Sequence, residues 1–136
     1  MLYMKSGHIN RLLEALNRAN AIKENGRIDS YYGASLYLLT GLEYAWPRLK
    51  KHVHPGYIDF EPMLNSGLSS GEAIIVRLAG NFYNGGFWNG MTPFDVMNTL
   101  DAGMFDMAMT ATMLRKRKLT VDDFLNSFEH ELKKEA

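Results

Sequence analysis

Ser69-Ser70-Gly71-Glu72-Ala73-Ile74-Ile75-Val76-Arg77-Leu78-Ala79-Gly80-Asn81-Phe82-Tyr83-Asn84-Gly85-Gly86 carries a helix with both its start and its stop written out. Ser69 can accept from the backbone amide of Glu72 while the Glu72 carboxylate reaches back to the amide of Ser69. This reciprocal pairing satisfies two donors that a first helical turn would otherwise leave open. The body is apolar on most faces, and Asn84-Gly85-Gly86 closes it because Asn and Gly tolerate the left-handed backbone that ends many helices. The stretch predicts a helix over 70–83.

The same punctuation extends in both directions. Upstream, Asp29 or Ser30 can cap a helix through Tyr31–Thr40 that stops at Gly41; it is apolar almost all round, which marks it as central. Before it, Ile9, Leu12, Leu13, Leu16 and Ala19 recur at helical spacing, with Arg11, Glu14 and Arg18 turned outward and Ser6 placed to cap. Asn25-Gly26 separates these two helices. Pro47 begins or kinks a short piece over 48–54, His54-Pro55-Gly56 is turn chemistry, and the run to Gly67 shows neither a helical nor a strand period and reads as a loop. Downstream, Thr92-Pro93-Phe94-Asp95 repeats the start signal for a short helix to Leu100. Asp101 caps another, carrying Phe105, Ala108, Met109 and Thr112 and ending in Arg115-Lys116-Arg117-Lys118, cations that suit the carboxyl end of a helix dipole. Thr120 and Asp123 open a last helix, in which Val121, Phe124, Leu125, Phe128 and Leu132 share one stripe. With no repeat period and no β-hairpin signal, the expected fold is a single all-α domain over 1–136. Its expected architecture is an irregular orthogonal bundle of about five to seven helices, in preference to a symmetric four-helix one.

Composition narrows what such a domain does. The 136 residues are 46% apolar and 22% charged, an ordinary globular balance. Fifteen basic residues offset fifteen acidic ones, so no net field draws in a polyanion and nucleic acid is disfavoured as a partner. The absence of cysteine excludes disulfides, thiolate nucleophiles and Cys-ligated metal centres, and it fits a reducing compartment. The longest apolar run, around Leu36–Thr40, falls far short of the ~20 residues of a membrane-spanning helix. Met1-Leu2-Tyr3-Met4-Lys5 lacks the pattern of a signal peptide. These features predict a cytoplasmic protein with no membrane partner.

The densest chemistry lies at the end of the 70–83 helix. Asn81-Phe82-Tyr83-Asn84-Gly85-Gly86-Phe87-Trp88-Asn89-Gly90 mixes aromatics, amides and glycines, a combination able to stack a planar ligand and hydrogen-bond its edge. A core helix whose last aromatics tuck under a tight turn has the same composition. Arg77, Asn81 and Asn84, at i, i+4 and i+7, form one polar stripe leading into this loop, so Arg77, Asn81, Asn84, Phe87 and Trp88 are the candidate ligand- or partner-binding residues. The plainer reading is a solvated stripe, or Arg77 paired with Asp95, Asp101 or Asp106. His52 and His54, near Asp59 and Glu61, are weak candidates for a metal because His-x-His before a proline fixes no third ligand; no cofactor is implied. His8 and His130 stand alone and read as solvated. Met91, Met97, Met104, Met107, Met109 and Met113 cover more than one helical face; thioethers fill irregular cores, but those left outside give an adaptable contact surface.

Val76-Arg77-Leu78-Ala79, Asn81 and Tyr83-Asn84-Gly85, followed by Thr92-Pro93-Phe94 and the helix start over Leu100–Phe105, carry a further signal. Through them the stretch 31–113 resembles small uncharacterised bacterial proteins of the domain-of-unknown-function type, some found near mobile elements. The resemblance implies a small helical domain and brings no catalytic residues with it. The residues themselves favour a non-catalytic helical interaction or accessory module whose partner is another protein or a second copy. The alternative is a small-ligand binder or hydrolase built on the Arg77–Asn81–Asn84 stripe with Trp88 as its wall. An exposed apolar patch favours the first, an enclosed polar pocket the second.

Overall fold

The computed structural model describes residues 7–86, 91–116 and 123. Its elements are α1 (His8–Arg18), α2 (Ser30–Gly41), α3 (Trp46–Leu49) continued by a 3-10 turn (Lys50–His52), β1 (Val53–His54), β2 (Tyr57–Ile58), α4 (Phe60–Leu64), α5 (Ser70–Asn84), α6 (Pro93–Thr99) and α7 (Ala102–Lys116). The fold is all-α apart from the two short strands, and the helices share one core. No described helix is long and apolar enough to cross a membrane.

α2 is the axis. Asp29 starts it by accepting from the Tyr31 amide at 2.9 Å. Every residue from Gly33 to Gly41 is buried because α1, α5 and α7 pack around it. A helix that is apolar on all sides has no polar stripe to turn outward, so enclosure is what stabilises it. Leu36, Leu38 and Leu39 are fully buried, and sealing each from water contributes at most ~3 kcal/mol.

The hydroxyls of Ser35 and Thr40 inside this core each find a carbonyl. Ser35 Oγ donates to the Ala79 carbonyl of α5 at 2.6 Å, and Thr40 Oγ1 donates to the Leu36 carbonyl at 2.6 Å. His8 is also fully buried, which corrects the solvated position expected for it. Its ring stacks on Tyr37 with centroids 4.7 Å apart, and Nε2 donates to the Tyr37 carbonyl at 2.7 Å. α1 begins one residue before Ile9, which puts His8 on the same stripe as Leu12, Ala15 and Leu16; helical phase, not residue type, decides its burial. The cap position of α1 is held by Gly7, in the left-handed region at φ 76°; Ser6, expected to cap it, lies outside the described residues.

The loop expected before Gly67 contains the hairpin and α4. β1 and β2 pair antiparallel, Val53 with Ile58 and His54 with Tyr57, around Pro55-Gly56. Strands of two residues are too short to display a period, so no strand signal reaches the sequence. Arg18 Nε donates to the Val53 carbonyl at 2.9 Å, and the Gly56 amide donates to the Ala19 carbonyl at 3.1 Å; both tie the hairpin to the end of α1. α4 is little more than one turn, burying Phe60 and Met63.

The later helices begin as their sequences dictate. In α5 the Ser69 amide donates to Glu72 Oε1 at 2.9 Å and the Glu72 amide to Ser69 Oγ at 3.2 Å, and Gly85 at φ 79° ends the helix. In α6 the Thr92 amide donates to Asp95 Oδ2 at 2.9 Å and the Asp95 amide to Thr92 Oγ1 at 3.2 Å. Asp101 Oδ1 accepts from the Met104 amide at 2.8 Å at the start of α7. α7 buries Met107, Ala108, Thr110, Ala111 and Leu114, whereas Phe105, Met109 and Thr112 lie on its outer side. The helix expected over 120–132 falls outside the described residues except for Asp123, which is helical and exposed.

Candidate functional site

The start of α2 and the ends of α5 and α7 converge on a cleft of about 480 Å³. Tyr31, Asn81, Tyr83, Asn84, Arg115 and Lys116 supply its chemistry. Beside it, a hollow of about 400 Å³ shares Tyr31, Tyr83 and Asn84 and adds Asp29 and Tyr32.

Arg115 is anchored twice. Its Nε donates to the Phe82 carbonyl at 3.2 Å, and its Cζ lies 4.3 Å from the centroid of the Tyr31 ring, where the negative face of the ring attracts the cation. The last carbonyls of a helix carry partial negative charge, so a guanidinium joining the end of α5 to the end of α7 is favourably placed. Behind it the Tyr32 and Tyr83 hydroxyls are 3.3 Å apart, their rings meet edge to face at 5.2 Å, and Phe60 tilts against Tyr83 at 5.5 Å. Burial, and then the bond to Tyr83, push the Tyr32 phenol above its ordinary range, so it stays neutral. Asn84 Oδ1 accepts from the Gly86 amide at 2.9 Å, which commits the oxygen and leaves Nδ2 to donate. Asn81 Nδ2 donates to the Gly86 carbonyl over a long 3.5 Å.

Of the five residues singled out from sequence, Asn81 and Asn84 come together here. Arg77 is half-buried on α5, one turn before Asn81, and is not among the residues lining the cleft. Phe87 and Trp88 lie outside the described residues. Tyr31 and Arg115 complete the cleft, and neither stands out in the sequence. Tyr31 reads as one more aromatic on a buried helix, and Arg115 as one cation in a basic helix end.

The chain matches no family model, no curated protein and no solved structure. The resemblance to small bacterial domains rests on the residues quoted for it.

His54 stacks on Tyr57 with centroids 4.6 Å apart, and the His52 carbonyl accepts from the Asp59 amide at 2.9 Å. Burial, and then Lys51, hold the His52 imidazole below its ordinary value. Among the described residues no three of His, Asp and Glu gather closely enough to hold a metal.

The methionines divide between inside and outside. Met91 and Met107 are buried, and Met104 is half-buried against α5, where a Cβ on Gly71 would meet its Sδ at 2.8 Å. Met97 is 62% exposed, Met109 51%, and Met113 also lies outside. With Phe94 and Phe105 they place on α6 and α7 five of the eight large exposed apolar side chains found among the described residues. On α7, Phe105, Met109 and Met113 follow one another at i, i+4 and i+8, opposite the buried Met107, Ala111 and Leu114.

Proposed function

We propose that this chain is a non-catalytic helical interaction module that works through the outer faces of α6 and α7. The observation that carries the reading is the Phe105–Met109–Met113 stripe, joined on the preceding helix by Phe94 and Met97. Single exposed apolar residues are ordinary on a soluble surface; five of them on two successive helices are not. Anchors one turn apart are what an opposing helix face needs, phenylalanine supplying area and methionine adapting to the partner's shape. α7 is held from behind by α2, so the stripe is presented with little ordering left to do on binding. The partner is an apolar helix face of another protein or of a second copy. The cysteine-free, charge-balanced composition and the resemblance to small bacterial domains support a cytoplasmic accessory role.

The cleft at Asn81 and Asn84 favours a second reading, ligand binding. Its described lining offers no nucleophile beside a base, and so supports binding rather than hydrolysis.

The test is site-specific photo-crosslinking in the native host, with the reactive group at position 109 and a control at exposed Glu24, together with sedimentation of the purified chain. A discrete adduct from 109 alone should be lost when Met113→Asp is added to the crosslinking chain, and self-association should be lost in Met109→Asp/Met113→Asp, whose unfolding transition should be nearly unchanged because both sites are exposed. A wild-type chain that neither crosslinks from 109 nor self-associates refutes the reading.

A further inference from the structure

The charge in the 480 Å³ cleft is one-sided. Its described lining contains two cations, Arg115 and Lys116, and no carboxylate. The ion pair between Lys50 and Glu14 involves no residue of this lining. Arg115 spends only Nε on the protein's own carbonyl, and its Cζ is seated over the Tyr31 ring, so its two terminal nitrogens remain as donors. Asn84 is fixed in a similar way: Oδ1 is committed to the Gly86 amide, and Nδ2 adds a donor on the same lining. Donors of this kind, with no carboxylate on the described lining of the cleft itself, call for an oxyanion; Asp29 lines the adjoining hollow, where its Oδ1 accepts from the Tyr31 amide. The remaining walls are aromatic. Tyr31 is 52% exposed despite the cation above it, and Tyr83 borders both this cleft and the 400 Å³ hollow beyond. A flat ring has a surface to lie on beside the place where a charge is wanted.

We propose that the cleft between α2, α5 and α7 binds a small planar anion, an aromatic ring bearing a phosphate or carboxylate. Arg115, Lys116 and Asn84 hold the oxyanion, and Tyr31 and Tyr83 cover the ring. The proposal rests on the ligand-binding reading of this cleft, whose α7 residues lie at the opposite end of that helix from Phe105.

Calorimetric titration of the full chain tests it with two anions from different sources, adenosine 5′-monophosphate and 4-hydroxyphenylacetate, each against its own separate halves: adenosine and inorganic phosphate for the first, 4-methylphenol and acetate for the second. At least one anion should bind about tenfold or more tightly than either half, and whichever does so identifies the source. It should also shift the side-chain amide resonances of Asn81 and Asn84. Arg115→Gln also removes a bond to the end of α5, so the deciding variant is Asn84→Asp. It keeps the acceptor for Gly86 and the shape of the side chain, and places a carboxylate where the oxyanion sits. That variant should still unfold in one cooperative transition, with a midpoint at most slightly lowered because a carboxylate meets the negative end of α5, and lose about tenfold or more in affinity for the anion, and Lys116→Gln should weaken binding to a smaller extent. Inorganic phosphate binding as tightly as the ring-bearing anions, no anion binding at all, or unchanged affinity in Asn84→Asp each overturns the proposal.

Discussion

Gly41 ends α2 against Met107 of α7 and the ring of His8, so adding one methyl group there probes the packing of three elements at once. A Cβ on residue 41 would press on the Met107 thioether, 2.9 Å from Sδ, and stand 3.0 Å from His8 Cε1. Two effects oppose each other. Alanine gains up to ~1 kcal/mol over glycine inside a helix, and less at its last residue. Forcing an extra carbon into a packed core costs ~1–3 kcal/mol. Met107 is only 1% exposed, but a small hollow of about 80 Å³ beside Gly41 and Met104 gives its flexible end limited room, which keeps the cost toward the lower limit. Gly41→Ala should therefore destabilise by ~1 kcal/mol net. Met107→Ala, which empties the same space, should cost ~2–5 kcal/mol. In the double variant the new methyl enters the vacated space, so the pair should be more stable than the sum of the singles by ~1–2 kcal/mol. Urea unfolding of the four proteins at a common m-value measures this coupling. Effects that add to within ~0.5 kcal/mol would refute the contact.

Ser69→Ala and Thr92→Ala should each lower stability by ~0.5–2 kcal/mol, near the lower limit because both caps are exposed; an unchanged denaturation midpoint in either would contradict its capping box. Ser35→Ala, which removes the bond from α2 to the Ala79 carbonyl, should cost ~0.5–1.5 kcal/mol by the same assay, and no loss would mean that the buried hydroxyl contributes nothing net. The His52 imidazole is held below its ordinary value of 6.5 in the folded chain, so as pH falls the unfolded chain takes up this proton first. Stability should fall as pH drops from 6.5 toward the folded value and level off below it. His52→Gln should remove that part of the fall, and a parallel profile for the variant would assign the pH dependence to other groups.

What the sequence discloses follows from the range of the interactions involved. Asp29, Ser69, Thr92 and Asp101 act within one helical turn, and each starts a helix where local chemistry predicts it. The centrality of α2 is legible for a similar reason, since an apolar run with no polar side has to be enclosed. His8 is misread because its burial depends on phase relative to α1 and on a carbonyl 29 residues away in Tyr37. The hairpin is missed because its strands are two residues long and are fixed by Arg18 and Ala19, more than thirty positions earlier. The cleft is half legible. Asn81 and Asn84 share a helix and so announce each other, whereas Tyr31 and Arg115 meet only after α2 and α7 have packed.

An enclosed α2 also governs how the molecule comes apart. Its amides are walled off by three helices on different sides, so no fraying of a single end opens a route to them. Deuterium should enter α2 only when the whole domain opens, at a rate set by the global stability, while the amides at the exposed starts of α5 and α6 exchange through small local openings. The slowest protons in this chain should therefore lie on a helix that touches solvent only at its first turn. Any ligand or partner that stabilises the fold would then be registered along the whole of that helix, including turns that it does not touch.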